Sequence, residues 1–208
     1  MRIGVALVLA AIVAGGVSVA RGATPEFTAR VEAPRWADLR FSYRVGCPVG
    51  PAELRAVRVS YWGFDGSPRA GSIVVARRLA RDVVAIFRRL WVERFPIKRL
   101  EPVSAYRGSD DASMAADNTS GFNCRFVGGT KRWSMHAYGE AIDVNPIENP
   151  YVRGSFVSPP GGRAYLDRSR YRKGMAVGDG VLVRAFAAVG WKWGASFGDY
   201  QHFSTTGR

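Results

Sequence analysis

The chain has 208 residues but only two histidines, and their placement restricts the fold more than any other feature. His136 lies in the segment Ser-Met-His-Ala-Tyr-Gly-Glu-Ala-Ile-Asp, which ends at Asp143, and His202 lies near the C-terminus. A catalytic zinc site needs three protein ligands and an open position for water, and two histidines with one carboxylate meet that need. A shared ion would require the fold to bring two distant segments together. Taken singly, each histidine is better explained as an ordinary hydrogen-bonded residue.

The residues around Asp143 predict the direction of its side chain. Residues 141–144 predict a short strand in which Ile142 and Val144 point into the core. Because side chains alternate along a strand, Asp143 points the other way and can face an ion that His136 approaches from the preceding loop. The alternative for Asp143 is a carboxylate that caps a turn.

Asp199 precedes His202 by three residues, a spacing that places both side chains on one side of a tight or helical turn. A carboxylate beside a metal ligand can take a proton from zinc-bound water, whose pKa the metal lowers to about 7. Asp199 is therefore the candidate general base.

Length and charge bound the class of protein. A chain of 208 residues with 47% hydrophobic content supports one globular domain. Its net charge of +13 indicates an affinity for anionic molecules, or a surface that keeps the protein soluble. No basic stripe interleaved with aromatic residues is present, which argues against a nucleic-acid partner.

The first residues predict an export signal. A short basic start precedes an uncharged apolar run from Ile3 to Ala20, and small residues stand at the positions that a signal peptidase recognises. We therefore expect residues 1–23 to direct export. The alternative is an uncleaved membrane anchor, since an apolar run of this length can just span a bilayer.

Two cysteines, Cys47 and Cys124, lie far apart in the sequence. In an oxidising compartment an even count favours one disulfide, whereas two buried free thiols are the alternative. Without a Cys-x-x-Cys spacing the pair makes a poor zinc site.

Short strands and helices alternate without the regular spacing of β-α-β units, which predicts an α+β fold. We expect a small antiparallel sheet flanked by helices, with the metal at the sheet edge. The predicted elements are a strand in 57–62 with a turn in 63–66, a helix in the pattern that starts at Ile73 and ends before Pro96, a strand in 100–106, a loop through Asn118, the strand in 141–144, an irregular excursion in 146–180, a short helix in 181–189, and one or two closing strands in 191–203.

The pattern Ser-x-His-x-x-Gly-x-Ala-x-Asp, followed downstream by acid-x-x-His-Phe, resembles that of the zinc D-alanyl-D-alanine carboxypeptidases and L-alanyl-D-glutamate endopeptidases. These enzymes share the Hedgehog/DD-peptidase fold. The resemblance covers roughly residues 57–204 and is tightest in 117–151 and 190–203. It implies one zinc ion on His136, Asp143 and His202.

The resemblance also implies roles for further residues. Asp199 stands where family members often have Glu, and it would act as general base and acid. Ser134 resembles the family serine that helps to hold substrate, and Tyr138 could line the substrate groove. The Ser-x-Tyr-Arg pattern that ends at Arg107 makes this residue the first choice for the arginine that stabilises the oxyanion, with Arg125 as its rival.

The sequence thus predicts an exported zinc peptidase that hydrolyses D-amino-acid-containing bonds of peptidoglycan stem peptides. It is expected to be a monomer outside the cell membrane, at the cell wall or in the periplasm, with anionic wall polymers as further partners and membrane contact only through an uncleaved N-terminus. Its domains would be the signal in 1–23, an N-terminal arm in 24–56 and the catalytic domain in 57–208. The alternative is a non-catalytic wall-binding module of the same fold.

Overall fold

The computed structural model describes residues 25–207, and the predicted signal in 1–23 lies outside them. The described chain has a mixed α+β fold of small, mostly antiparallel sheets and a few helices, as predicted. Its strands are β1 (Ala29–Glu32), β2 (Leu54–Trp62), β3 (Pro68–Ala76), β4 (Arg99–Leu100), β5 (Asn118–Thr119), β6 (Ala141–Asp143), β7 (Tyr151–Arg153), β8 (Phe156–Ser158), β9 (Lys192–Trp193) and β10 (His202–Ser204), and its α-helices are α1 (Trp36–Leu39), α2 (Ala80–Val92), α3 (Asp110–Ala115) and α4 (Val181–Ala187).

The largest sheet is antiparallel, has the order β1-β2-β3, and carries helix α2 on one face. The helix buries a stripe at helical spacing that includes Val83, Phe87 and Leu90, while its arginines face solvent. This is the amphipathic arrangement that the sequence pattern predicts.

The second sheet has the order β6-β10-β9 and holds the candidate site. Ile142 and Val144 point into the main core, as expected from strand alternation. Helix α4 adds Leu182 and Phe186 to the same core, and Phe186 stacks on Phe203 of β10 with ring centroids 4.1 Å apart. Strands β6 and β10 are therefore supported by packed apolar side chains directly behind the site.

Four predicted elements differ from the structure. The irregular excursion predicted in 146–180 contains the hairpin of β7 and β8. Residues from Ile73 to Ala76 belong to strand β3, because β3 forms a hairpin with β2 and its β-branched side chains are buried in the sheet. The predicted strand in 100–106 stops at Leu100, and Pro102 is followed by a 3-10 helix. The predicted loop before Asn118 contains α3, because the Ser109 side chain caps that helix by accepting from Ala112 N–H at 3.1 Å.

Cys47 and Cys124 form the predicted disulfide, with Cα atoms 5.8 Å apart. Around it lies a second, smaller apolar cluster that includes Leu39, Leu54 and Phe122. The segment before β2 is thereby fastened to the body of the fold at two points, since β1 also pairs with β2. Among the described residues no helix is both long and apolar enough to cross a membrane.

Candidate metal centre

His136 lies on a 3-10 turn, Met135–Tyr138, whose two ends are fixed by neighbouring groups. At the start, the Ser134 hydroxyl accepts from the His136 backbone N–H at 3.3 Å. At the end, Gly139 has a φ of 68°, and a Cβ there would lie 2.5 Å from the backbone nitrogen of Ala76. Only glycine fits this close approach without strain, so the turn that presents His136 depends on it.

Asp143 and His202 are brought together by strand pairing. The two residues are direct partners in the antiparallel register of β6 and β10. Directly opposite residues on neighbouring strands have close side chains on one face of the sheet. On its other side, Asp143 exchanges backbone hydrogen bonds with Ser120, so the strand that carries the carboxylate is held from both sides.

The three side chains converge at one point. His136 Nε2 lies 3.1 Å from Asp143 Oδ2, His202 Nδ1 lies 3.1 Å from Asp143 Oδ1, and the two ring nitrogens are 3.3 Å apart. All three residues are buried. Four tetrahedral ligands at about 2.0–2.1 Å from a zinc ion lie roughly 3.3 Å from one another, so these separations fit three ligands of one ion.

The tautomer of His136 strengthens this assignment. Its Nδ1–H donates to the carbonyl oxygen of Gly121 at 2.7 Å, so in the neutral ring Nε2 carries only a lone pair. That lone pair faces a carboxylate and a second imidazole nitrogen in a buried space, an arrangement that repels unless a proton or a cation lies between them. Metal-ligating histidines commonly donate their other ring N–H to a backbone carbonyl in this way.

The surroundings of Asp143 favour its ionised form. Burial alone would raise its pKa, but the adjacent His136 and His202 outweigh burial and hold the pKa of this carboxyl far below its usual range. Asp143 is therefore ionised at neutral pH, as a metal-binding carboxylate must be.

Asp199 lies in the turn that leads into β10, where His202 N–H donates to its backbone carbonyl at 3.3 Å. Burial raises the pKa of Asp199 to about 6, and the negative charge of Asp143 contributes. Its buried Oδ1 has no hydrogen-bond partner within residues 25–207. A carboxyl group that exchanges its proton near neutral pH suits general acid-base chemistry.

The comparisons with known proteins bear on this segment. Residues 128–205, which contain all three cluster residues and Asp199, match the family model described as D-alanyl-D-alanine carboxypeptidase. The family recognised from the motif is confirmed for this segment. No curated protein and no solved structure matches the chain.

The contacts of Tyr200 and Arg168 within the matched segment were not predicted from the sequence. The loop before His202 is fastened to the excursion in 146–180, since Tyr200 N–H donates to the Pro150 carbonyl. Arg168 lies 4.7 Å from the Tyr200 ring centroid and donates to Glu148 O and Asn149 Oδ1. The sequence gives no signal for Arg168. The Gly121 carbonyl, which holds the His136 ring, lies instead within residues 117–151, where the family resemblance is tight.

The two candidate arginines lie upstream of the matched segment and differ in their surroundings. Arg107 is exposed and lies 5.5 Å from the Phe41 ring centroid. Arg125 is half-buried, forms an ion pair with Asp110 at 3.0 Å, and has a buried Nε with no partner among the described residues. The backbone carbonyl of Arg125 also accepts from Ser134 N–H, which ties it to the turn of His136.

Ser134 is buried against the His136 turn and Tyr138 is half-buried at the end of the same turn. Trp191 and Trp193, whose rings could also have lined a groove, pack in or against the main core. Phe197 lies beside the cluster, with its ring centroid 6.3 Å from that of His202.

Proposed function

We propose that the protein is a zinc metallopeptidase that hydrolyses D-amino-acid-containing bonds of peptidoglycan stem peptides. One observation carries the proposal above the others. The His136, Asp143 and His202 ligand atoms converge in a buried cluster inside the segment that matches the carboxypeptidase family. The family supports a peptidase, and the cluster supports the metal.

His136 Nε2, Asp143 and His202 Nδ1 would hold the ion, and the fourth position would be left to water. A zinc ion in such a site lowers the pKa of its bound water and polarises the peptide carbonyl. The protein's part is to fix the three ligands, which it does through the Gly121 carbonyl and the pairing of β6 with β10.

Asp199 would hold and move the proton. Its raised pKa allows it to accept a proton from the attacking water and to donate it to the leaving amine. Because it lies in the turn next to His202 rather than in the converging cluster, the geometry favours a role as base over a role as ligand.

For the oxyanion-stabilising arginine we favour Arg125 over Arg107. Arg125 is bonded through its backbone to the turn of His136 and is paired with Asp110, and its buried Nε has no partner within residues 25–207. A preorganised donor of this kind costs no rearrangement when charge develops. Ser134 and Tyr138 would contact the substrate from the same turn.

The substrate side of the proposal follows the family. The bond is either the terminal D-alanyl-D-alanine bond or an internal L-alanyl-D-glutamate bond, and the enzyme would act on the wall after export. The disulfide fits an exported protein. Binding to anionic wall polymers and a monomeric state belong to the same proposal, as does the signal in residues 1–23.

Mass analysis of muropeptides incubated with the purified protein tests the proposal. We expect loss of the terminal alanine or cleavage beside D-glutamate, inhibition by a chelator, recovery with zinc, and about one bound zinc per chain. The His136→Ala and His202→Ala variants should lack both zinc and products. A non-catalytic wall-binding module, the alternative, would sediment with wall fragments and release nothing.

A further inference from the structure

An exposed aromatic pair lies on the hairpin that leads into the His136 turn. Phe126 and Trp133 face each other across an antiparallel bridge, and their rings stack with centroids 4.0 Å apart. Trp133 packs inward against the small apolar cluster around the disulfide, while Phe126 stacks outside it and is 37% exposed. The outer ring is thereby held rigidly in place by the inner one.

A cation flanks this pair. The Arg44 guanidinium lies 5.7 Å from the Phe126 ring centroid and 5.5 Å from that of Trp133. Arg44 is exposed, and its backbone N–H donates to Cys47 Sγ of the disulfide at 3.4 Å. We name Arg44, Phe126 and Trp133 the aromatic platform.

The platform is continuous with the candidate metal centre. Trp133 is followed directly by Ser134, which caps the turn of His136, and Ser134 N–H donates to the carbonyl of Arg125. Phe126 and Trp133 thus border Arg125 and Ser134, the two residues of this hairpin that the proposed function places at the substrate.

We propose that the aromatic platform binds the amino-sugar strand to which the stem peptide is attached. This inference rests on the proposed function, because it assigns a second part of the same substrate. Stem peptides are built of small aliphatic and charged residues and offer no broad apolar face. A pyranose ring offers one through its axial C–H groups, and its hydroxyl and acetamido oxygens accept hydrogen bonds from a guanidinium such as that of Arg44.

Two matched substrates test the platform, namely a disaccharide-pentapeptide and the same pentapeptide without sugar. The wild type should hydrolyse the disaccharide substrate with a kcat/KM roughly tenfold higher than that for the free peptide, because about 1.4 kcal/mol of added binding free energy corresponds to a factor of ten. Phe126→Ala should abolish the preference, measured as the ratio of the two kcat/KM values, whereas Phe126→Trp should keep that ratio. Phe156→Ala is the matched control, because Phe156 is exposed on a different hairpin.

Direct binding separates failure of this proposal from failure of the proposed function. A tetramer of N-acetylglucosamine, titrated by calorimetry, should bind the wild type and lose most of its affinity in Phe126→Ala, even if no peptide is cut. Equal kcat/KM for the two substrates in the wild type, or equal loss in Phe156→Ala, would overturn the proposal. Competition by a polyphosphate but not by the tetramer would instead identify a polyanion site and also reject it.

Discussion

The ligand cluster (His136, Asp143 and His202) and the flank that carries the two candidate arginines (Arg107 and Arg125) are built differently. His136, Asp143 and His202 are buried and are fixed by backbone pairing and one carbonyl. Arg107 and Arg125 are placed instead by tertiary contacts with the N-terminal arm and α3. If the cluster holds the metal and an arginine stabilises the oxyanion, as proposed, the two functions depend on separate parts of the fold, and each should be removable without the other.

The largest separable effect is expected at Asp199. Asp199→Ala should keep zinc and fold while lowering turnover by about 10²–10⁴-fold, the usual contribution of a general acid-base group. Asp199→Glu should retain activity well above the Ala variant, since it keeps a carboxylate. Zinc content and muropeptide turnover are measured together, with the exposed Asp111→Ala as control. Loss of zinc in Asp199→Ala as complete as in His202→Ala would make Asp199 a ligand.

The next largest effect is expected at Arg125, one of the two candidate arginines of the flank. Arg125→Ala should lower kcat by about a hundredfold, because removing one oxyanion donor typically costs that much. Arg107→Ala should change kcat only a few-fold, since its side chain is exposed and lies over Phe41. Both variants should bind zinc normally. A larger loss in Arg107→Ala than in Arg125→Ala would show that the Ser-x-Tyr-Arg pattern identified the arginine correctly.

This contrast also explains what the sequence could predict. The cluster follows from short-range rules, since alternation along 141–144 and a glycine after His136 already aim the ligands at one point. The proximity of β6 and β10 follows once Asp143 and His202 are assumed to bind the same ion. The three residues could therefore be named from the sequence, although the family resemblance was needed to join them into one site.

The flank was not foreseeable in the same way. Arg107 adopts a left-handed backbone conformation with a φ of 56°, and Arg125 depends on an ion pair with a helix that was predicted as loop. Strand β3 was missed because its apolar residues run directly into the helical pattern of α2. A position that is fixed by tertiary contacts cannot be predicted from hydrophobic periodicity or secondary-structure propensity.

Removing the disulfide should destabilise the flank more than the cluster. A crosslink between residues 77 apart in sequence restricts the unfolded chain, and losing it typically costs about 2–4 kcal/mol. Cys47→Ser combined with Cys124→Ser should lower the urea midpoint accordingly and still bind zinc. In the exported wild type, thiol titration under denaturing, non-reducing conditions should find no free thiol. Two titratable thiols, or loss of zinc in the double variant, would contradict this separation.

The smallest effect concerns a pair of buried carboxyl groups, Asp117 and Glu148. Burial raises the pKa of Glu148 to about 8, and the nearby carboxyl of Asp117 adds to the shift. The pKa of Asp117 is also raised, mainly by burial. The raised pKa favours the protonated form of Glu148 at neutral pH.

The protonation of Glu148 determines how the stability of the fold changes with pH. Between the ordinary pKa of about 4.5 and about 8, the folded protein holds the proton on Glu148 and the unfolded chain has released it. Stability should therefore fall as the pH rises through this window. Glu148→Gln should be more stable than the wild type above pH 8 by about 1–2 kcal/mol after solvent screening, and equal to it near pH 4. Urea unfolding in chelator, with the exposed Glu26→Gln as control, measures the difference. An unchanged pH slope in Glu148→Gln would show that no proton is held there.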